Sequence, residues 1–199
     1  MAEILNWPGN LLPASLSIQL LSNSKTFISP FTGSAQTARF PGSRWRFSLS
    51  FSNLESAEAR QLEALVARLD GQSGRVRLWD FARRGVQGVG APVVSADGQL
   101  GSRLATSGWA KGRQVLAAGD YLTVGGELKR VLEPVVADGN GAALVLISPM
   151  LRAAPTRGEA IEVAHPFGVF RLLDNEQGRF ERRPADLTDV TLEFEEALN

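Results

Sequence analysis

In Trp45-Arg46-Phe47-Ser48-Leu49-Ser50-Phe51 every second residue is bulky and apolar. That period of two sets Trp45, Phe47, Leu49 and Phe51 on one face of a half-buried strand and Arg46, Ser48 and Ser50 on the other. Behind it, Leu62, Leu65, Val66 and Leu69 recur at helical spacing. Ser56 stands ahead of them as a natural N-cap, and Gly71 follows where a left-handed C′ residue belongs. Arg75-Val76-Arg77-Leu78-Trp79 then returns to period two. This strand, helix and strand, from Arg44 to Asp80, hold the one convincing helix in a chain that otherwise reads as strand and turn. The expected fold class is mainly β, with a minor α+β character: a β-sandwich with one α-helix plus an inserted small β-barrel or sandwich domain.

Outward from that core, Leu16 to Leu21 and Thr26-Phe27-Ile28 are strand-like, and Pro30 and Gly33 break the second of these. A turn-rich segment runs on through Pro41-Gly42. From Ala82 to about Gly101 glycine, valine and serine dominate without helical periodicity, which predicts a linker or edge loops. A second β region begins near Leu104. Within it, Tyr121-Leu122-Thr123-Val124 and Glu127-Leu128-Lys129-Arg130-Val131 flank Gly125-Gly126, a hairpin signal because primed turns need positive φ. Ala142 to Ile147 is continuously apolar and predicts a strand buried on both faces, ended by Pro149. Val169 to Leu173 is another strand. Val190-Thr191-Leu192-Glu193-Phe194 alternates as cleanly as the Trp45 strand and reads as its partner. Residues 1–81 with 166–199 are therefore expected to form one β-sandwich domain, and 82–165 a small β domain inserted into it.

Apolar residues make up 44% of the chain, enough for a packed core. Balanced charge, 21 basic against 21 acidic residues, argues against binding nucleic acid or an anionic membrane by bulk electrostatics. The absence of cysteine excludes disulfides, thiolate nucleophiles and thiolate metal sites. Met1 to Leu12 has no basic n-region and is interrupted by Pro8-Gly9, and no later apolar run approaches the roughly 20 residues that span a bilayer. The expectation is a soluble, unsecreted protein without a membrane partner.

Few residues suggest chemistry. His165, the single histidine, precedes Pro166 in an apolar context without the partners a general base or a metal site needs, and reads as structural. Asp138-Gly139-Asn140-Gly141 resembles part of a calcium loop, but position 149, twelfth from Asp138, is proline where a glutamate is required, so a turn is expected. Gly85, Gly88 and Gly90 have neither the Lys-Ser/Thr nor the following helix of a phosphate loop. Arg83-Arg84 and Arg182-Arg183 read as solvated or ion-paired surface in preference to phosphate contacts. Asp186, Asp189, Glu193, Glu195 and Glu196 make the C-terminus acidic; two carboxylates two apart share a strand face, yet glycosidases draw their acid pair from different elements. No catalytic, cofactor-binding or metal residue is assigned, and no enzyme activity is expected.

Trp7-Pro8, Asn23-Ser24-Lys25-Thr26-Phe27-Ile28-Ser29-Pro30-Phe31-Thr32-Gly33, Gln36-Thr37 and Pro41-Gly42-Ser43-Arg44-Trp45 together resemble tail structural proteins of long, flexible-tailed bacteriophages, most closely the distal tail protein family. Leu69-Asp70-Gly71-Gln72-Ser73-Gly74, Ala118-Gly119-Asp120-Tyr121-Leu122 and Ile147-Ser148-Pro149-Met150-Leu151-Arg152 extend the resemblance over most of the chain. These are turn and strand junctions, not catalytic signatures. The resemblance implies a virion structural protein that forms a homo-oligomeric ring, usually a hexamer, at the tail tip. Such a ring joins the tail tube protein to the hub or baseplate proteins, sits near the tape measure protein, and lets DNA pass without specific binding. Under it, Trp7, Phe27, Ile28 and Phe31 are expected at subunit interfaces, and Glu193 and Glu195 on an acidic lumen that repels DNA. The alternative is a carbohydrate-binding adhesion module recognising the host surface. There Trp109 and Tyr121 would serve as stacking platforms if they are not core anchors.

Overall fold

The computed structural model describes residues 3–184 and 187–198. From the N-terminus the chain forms β1 (Ile4–Asn6), β2 (Ser15–Leu21), β3 (Ser24–Ile28), β4 (Ala35–Arg39), β5 (Arg44–Leu54), α1 (Ser56–Leu69) and β6 (Arg75–Leu78). It continues with β7 (Gly90–Val94), β8 (Gly101–Trp109), β9 (Gln114–Leu116), β10 (Tyr121–Val124), β11 (Glu127–Val131), β12 (Val135–Val136) and β13 (Ala143–Leu151). It ends with β14 (Gly168–Leu172), β15 (Glu181–Arg183) and β16 (Leu187–Glu196). The fold is mainly β, and α1 is the one α-helix among the described residues.

The first sheet runs β1-β6-β14-β16-β5-β2, with β15 added on β16. Its axis is the pairing the alternation predicts: β16 lies antiparallel to β5, with Val190 opposite Phe51, Leu192 opposite Leu49 and Phe194 opposite Phe47. All six side chains are buried on one face, together with Leu62, Leu65 and Leu69 of α1. The helix starts one residue earlier than the N-cap reading placed it. Glu55 is the extended cap residue, Ser56 is the first helical one, and the Glu58 carboxylate accepts the Glu55 N–H at 3.3 Å, half of a capping box. At the other end Asp70 (φ 49°) and Gly71 (φ 61°) both take the left-handed turn expected at the C-terminus.

The second sheet runs β10-β11-β13-β8-β7. The β10–β11 register centres on Gly125-Gly126, with φ of 60° and 74°, as a type I′ turn requires. The two edges of this sheet are stitched together by the segment 158–162. Gly158 donates to the Val94 carbonyl and Ile161 to that of Pro92, while Glu162 and Thr123 exchange backbone hydrogen bonds of 2.8 and 3.0 Å. The result is a curled half-barrel around Leu104, Leu122, Val145 and Ile147, with each edge strand tied at a few backbone groups to the segment 158–162.

Three expectations for this region need correction. The stretch read as linker or edge loops contains β7. β13 does not stop at Pro149; it runs to Leu151 with a register break after Leu146, and an irregularity is where a strand tolerates a residue without an N–H. Nor is β13 buried on both faces: burial alternates along it and Leu144 is exposed, because one side of the barrel wall meets solvent. In the N-terminal third, the turn-rich segment holds β4, which closes a hairpin with β3.

Candidate functional site

Three features distinguish this molecule: an exposed hairpin, a buried ionic junction between the two sheets, and a cleft beside that junction. The hairpin is built by β3 and β4, which continue the β2–β5 pair outward as a two-stranded ribbon. Phe27 pairs with Gln36 and Ile28 with Ala35. The Thr26 and Thr37 hydroxyls meet at 2.9 Å, and the turn is closed by Ser29 N–H on the Ser34 carbonyl and by Gly33 (φ 69°) on Ser29. At its base the Asn23 amide donates to the Pro41 carbonyl at 2.6 Å. No described residue covers it: Phe27 is 51%, Ile28 67% and Phe31 95% exposed. A ribbon of two strands has no core of its own, so these apolar side chains stand in solvent in this structure. The Lys25 ammonium lies over the Phe27 ring, 5.4 Å from its centroid.

Trp7, expected beside them at an interface, is instead a core residue. Its ring stacks on Phe51 and meets Phe81 and Phe194 edge-on, and its indole N–H donates to the Leu11 carbonyl at 2.7 Å. The Pro8-Gly9 turn folds it back under the sheet, so burial wins over the exposure that an N-terminal aromatic suggests. Trp109 and Tyr121 are likewise buried and offer no sugar platform. Trp109 donates to the Thr106 hydroxyl, and Tyr121 packs edge-on against Trp45 beneath the Arg130 guanidinium.

The junction replaces the expected acidic lumen. Glu195 is 4% exposed, with Arg44 at 3.1 Å on one oxygen and Arg171 at 2.5 Å on the other. Glu196 is fully buried: it accepts the backbone N–H groups of Trp45 and Leu128 and the guanidinium of Arg152 at 3.0 Å. Glu193 is half-buried opposite Ser48 on a face it shares with Arg46. Arginines on β5 and β14 share that face with the glutamates, so the last strand presents no acidic stripe. Asp186 lies outside the described residues. Behind Glu196, the Lys129 ammonium is wholly buried against Glu127 and the Met150 carbonyl. Burial pushes the lysine below its ordinary value, and the Glu127 carboxylate opposes that shift. For Arg152 burial acts in the same direction, but the hydrogen bond it donates to Glu196 and the charges of Glu196 and Glu127 outweigh it and raise the guanidinium above its ordinary value. Trp45 completes the junction by donating its indole N–H to the Leu128 carbonyl at 2.8 Å. The two sheets are thus joined through Glu196, Arg152 and Trp45 by paired charges and directed hydrogen bonds.

Beside this junction two chain segments cross between the sheets, residues 79–89 outward and 163–168 back, tied by Val86 N–H on the Val163 carbonyl at 2.8 Å. At Gly85 they touch so closely that an added Cβ would fall 2.2 Å from the Ala164 oxygen. The crossing walls a cleft of about 810 Å³. Half-buried Trp79, Phe81 and Phe167 line it, and the exposed side chains of Arg77, Arg84 and His165 stand around them. His165, read as structural, therefore lies at the lining of a cleft. The sequence carried one signal for this place, Trp79 and Phe81 continuing the apolar run of β6 past its end.

The remaining candidates are structural. Asp138 caps its own turn, and the backbone N–H groups of Ala142 and then Asn140 hold its carboxyl below the ordinary value of 3.8. Arg182 pairs with Glu63, Arg183 with Asp189 and Arg83 with Asp80. Among the described residues no three acidic or histidine side chains converge as a metal site, and no helix is long and apolar enough to cross a membrane. No protein-family model matches this chain, and no curated protein matches its sequence.

Proposed function

We propose that this protein is a ring-forming structural component of the tip of a long, flexible phage tail, joining tail tube to hub or baseplate, and that it works by surfaces and not by side-chain reactivity. The observation that carries this reading is the β3–β4 hairpin: an uncovered ribbon whose tip exposes Phe27, Ile28 and Phe31. It is the same segment, Asn23 to Gly33 with Gln36-Thr37, that carries the densest part of the likeness to distal tail proteins. A closed ring needs one patch on each subunit to meet a different patch on the next, and a projecting arm supplies such a contact without rebuilding either body. The buried ionic junction suits the same role, since subunits that must close a ring need a fixed angle between their two sheets. In the ring DNA passes without specific contact, and the protein resides in the virion.

Gold labelling of a tagged copy in tail particles tests the assignment. Label concentrated at the distal end of the tail tube, with averaged images showing a ring there, is expected. Label along the tube, at the head, or absent from particles would contradict it.

A further inference from the structure

We propose that the cleft at the chain crossing receives the tip of the β3–β4 hairpin from a second copy of this chain. This contact rests on the ring reading and supplies the surface that accepts the arm, which that reading leaves open.

The first sheet sets arm and cleft where a head-to-tail row needs them. The arm leaves from β2, one edge of the sheet, and the cleft lies at β6, next to the other edge. Four strand spacings separate β2 from β6, about 19 Å across the sheet. Strand direction brings both to the same end. β2, β16 and β6 run one way and β5 and β14 the other, so the arm after Leu21, Trp79 and Phe81 after Leu78, and Phe167 before Gly168 emerge together. Copies in a closed ring are related by rotation alone, and a projection and an acceptor at one end on opposite edges meet between neighbours without a shift along the strands. The chain does not fill its own cleft, since Phe31 at the tip is 95% exposed.

Charge selects a neutral guest. Asp80, Asp120 and Glu162 around the cleft are matched by Arg77, Arg83 and Arg84, so neither an anion nor a cation is favoured there. From Thr26 to Ala38 the arm carries no charged residue. The walls favour an aromatic one. Half-buried Trp79 and Phe81, with centroids 4.6 Å apart and planes 35° from parallel, form a bent aromatic wall, and Phe167 stands beside Arg77. Such a wall takes a further ring edge-on or offset, and Phe31 is the most exposed large apolar side chain among the described residues. A cleft of about 810 Å³ is of the size that takes a compact organic group, which leaves room for Phe31 together with Pro30. The arm also arrives ordered. Ser29 N–H donates to the Ser34 carbonyl at 2.9 Å, Gly33 N–H to that of Ser29 at 3.0 Å, and the Thr32 and Ser34 hydroxyls meet at 2.9 Å. A tip already held by its own hydrogen bonds loses little conformational freedom on docking.

Photo-crosslinking of the full chain carrying p-benzoylphenylalanine at position 31 tests the contact, in a mixture with isotope-labelled natural chain and beside sedimentation velocity of the same sample. A ring is expected, with links between the two chains from position 31 to the tryptic peptides 78–83 or 158–171, which hold Trp79, Phe81 and Phe167. Phe167→Ser is expected to weaken assembly about tenfold or more, as loss of an aromatic anchor does, with an unchanged circular dichroism spectrum. Links concentrated instead on peptide 131–152, where Leu132, Val136 and Leu144 are exposed, or on any other surface of an assembled ring, would overturn the cleft as acceptor. Assembly of a folded Phe167→Ser as tight as that of the natural chain would overturn it too. Both results leave the ring reading standing. A natural chain that stays monomeric at every concentration would overturn the ring reading, and the docking with it.

Discussion

The long hairpin formed by β2-β3 and β4-β5 contains two kinds of structure in one pair of strands. Its near half packs Trp45, Phe47, Leu49 and Phe51 into the main core, whereas its far half buries almost nothing and exposes Phe27, Ile28 and Phe31. Backbone pairing is equally regular in both, with unbroken register from Ser15–Ser50 to Leu21–Arg44 and from Ser24–Arg39 to Ile28–Ala35. Pairing alone therefore does not decide the fate of a strand. What differs is what surrounds them: β16 pairs with β5 and α1 packs on the buried face of the near half, whereas no described residue covers the far half. The near half is buried in the subunit core, and the far half is the surface to which the proposed ring contact is assigned.

That contrast can be broken most severely at the junction beneath Trp45. Glu196→Ala removes the acceptor of two backbone N–H groups and strands Arg152 beside the core, with an expected loss of about 3–5 kcal/mol in urea unfolding. Glu196→Gln, which keeps an acceptor, is expected to lose less. Gly85→Ala comes next. Its Cβ collides with backbone at the crossing of the two sheets, and overpacking of this kind costs about 1–3 kcal/mol, read in the same experiment.

A smaller effect belongs to Asp138, a polar surface anchor unlike either half of the hairpin. Its carboxyl sits below 3.8 in the folded chain, so its contribution to stability is present above that ordinary value and is lost as the pH falls through the depressed one. Acid unfolding of Asp138→Asn is expected to show a shallower dependence over that window, and an identical dependence would remove the turn from the account. The smallest effect on stability is expected at the arm. Phe31→Ser should change the unfolding free energy by no more than about 0.5 kcal/mol, since the side chain touches almost nothing to lose. A loss of several kcal/mol there would mean that the arm is part of the fold after all.

Much of the near half was legible in the sequence because alternation and helical spacing report burial directly. Trp45 to Phe51, Leu62 to Leu69 and Val190 to Phe194 each name their core face, and Gly125-Gly126 names its turn. The far half was less legible. Thr26-Phe27-Ile28 showed as strand, but Ala35-Gln36-Thr37-Ala38-Arg39 carries no alternation, since neither of its faces is buried, and β4 went unread. The same reasoning explains Glu195 and Glu196. A run of acids at a terminus reads as solvated, and only the tertiary approach of Arg44, Arg171 and Arg152 from distant elements turns it into a buried ionic junction. The cleft lay further still from view, because its two walls come from segments some eighty positions apart that meet only when Gly85 passes Ala164.

The central claim is that the exposed arm builds the assembly while the core builds the subunit. Sedimentation velocity of the natural chain beside the triple variant Phe27→Ser, Ile28→Ser, Phe31→Ser tests it most directly, with urea unfolding run on both. The natural chain is expected to form a closed ring of about six 21.4 kDa subunits, and the variant to sediment as a 21.4 kDa monomer with the same unfolding midpoint. A variant that still closes the ring, or a natural chain that stays monomeric at every concentration, would contradict the account.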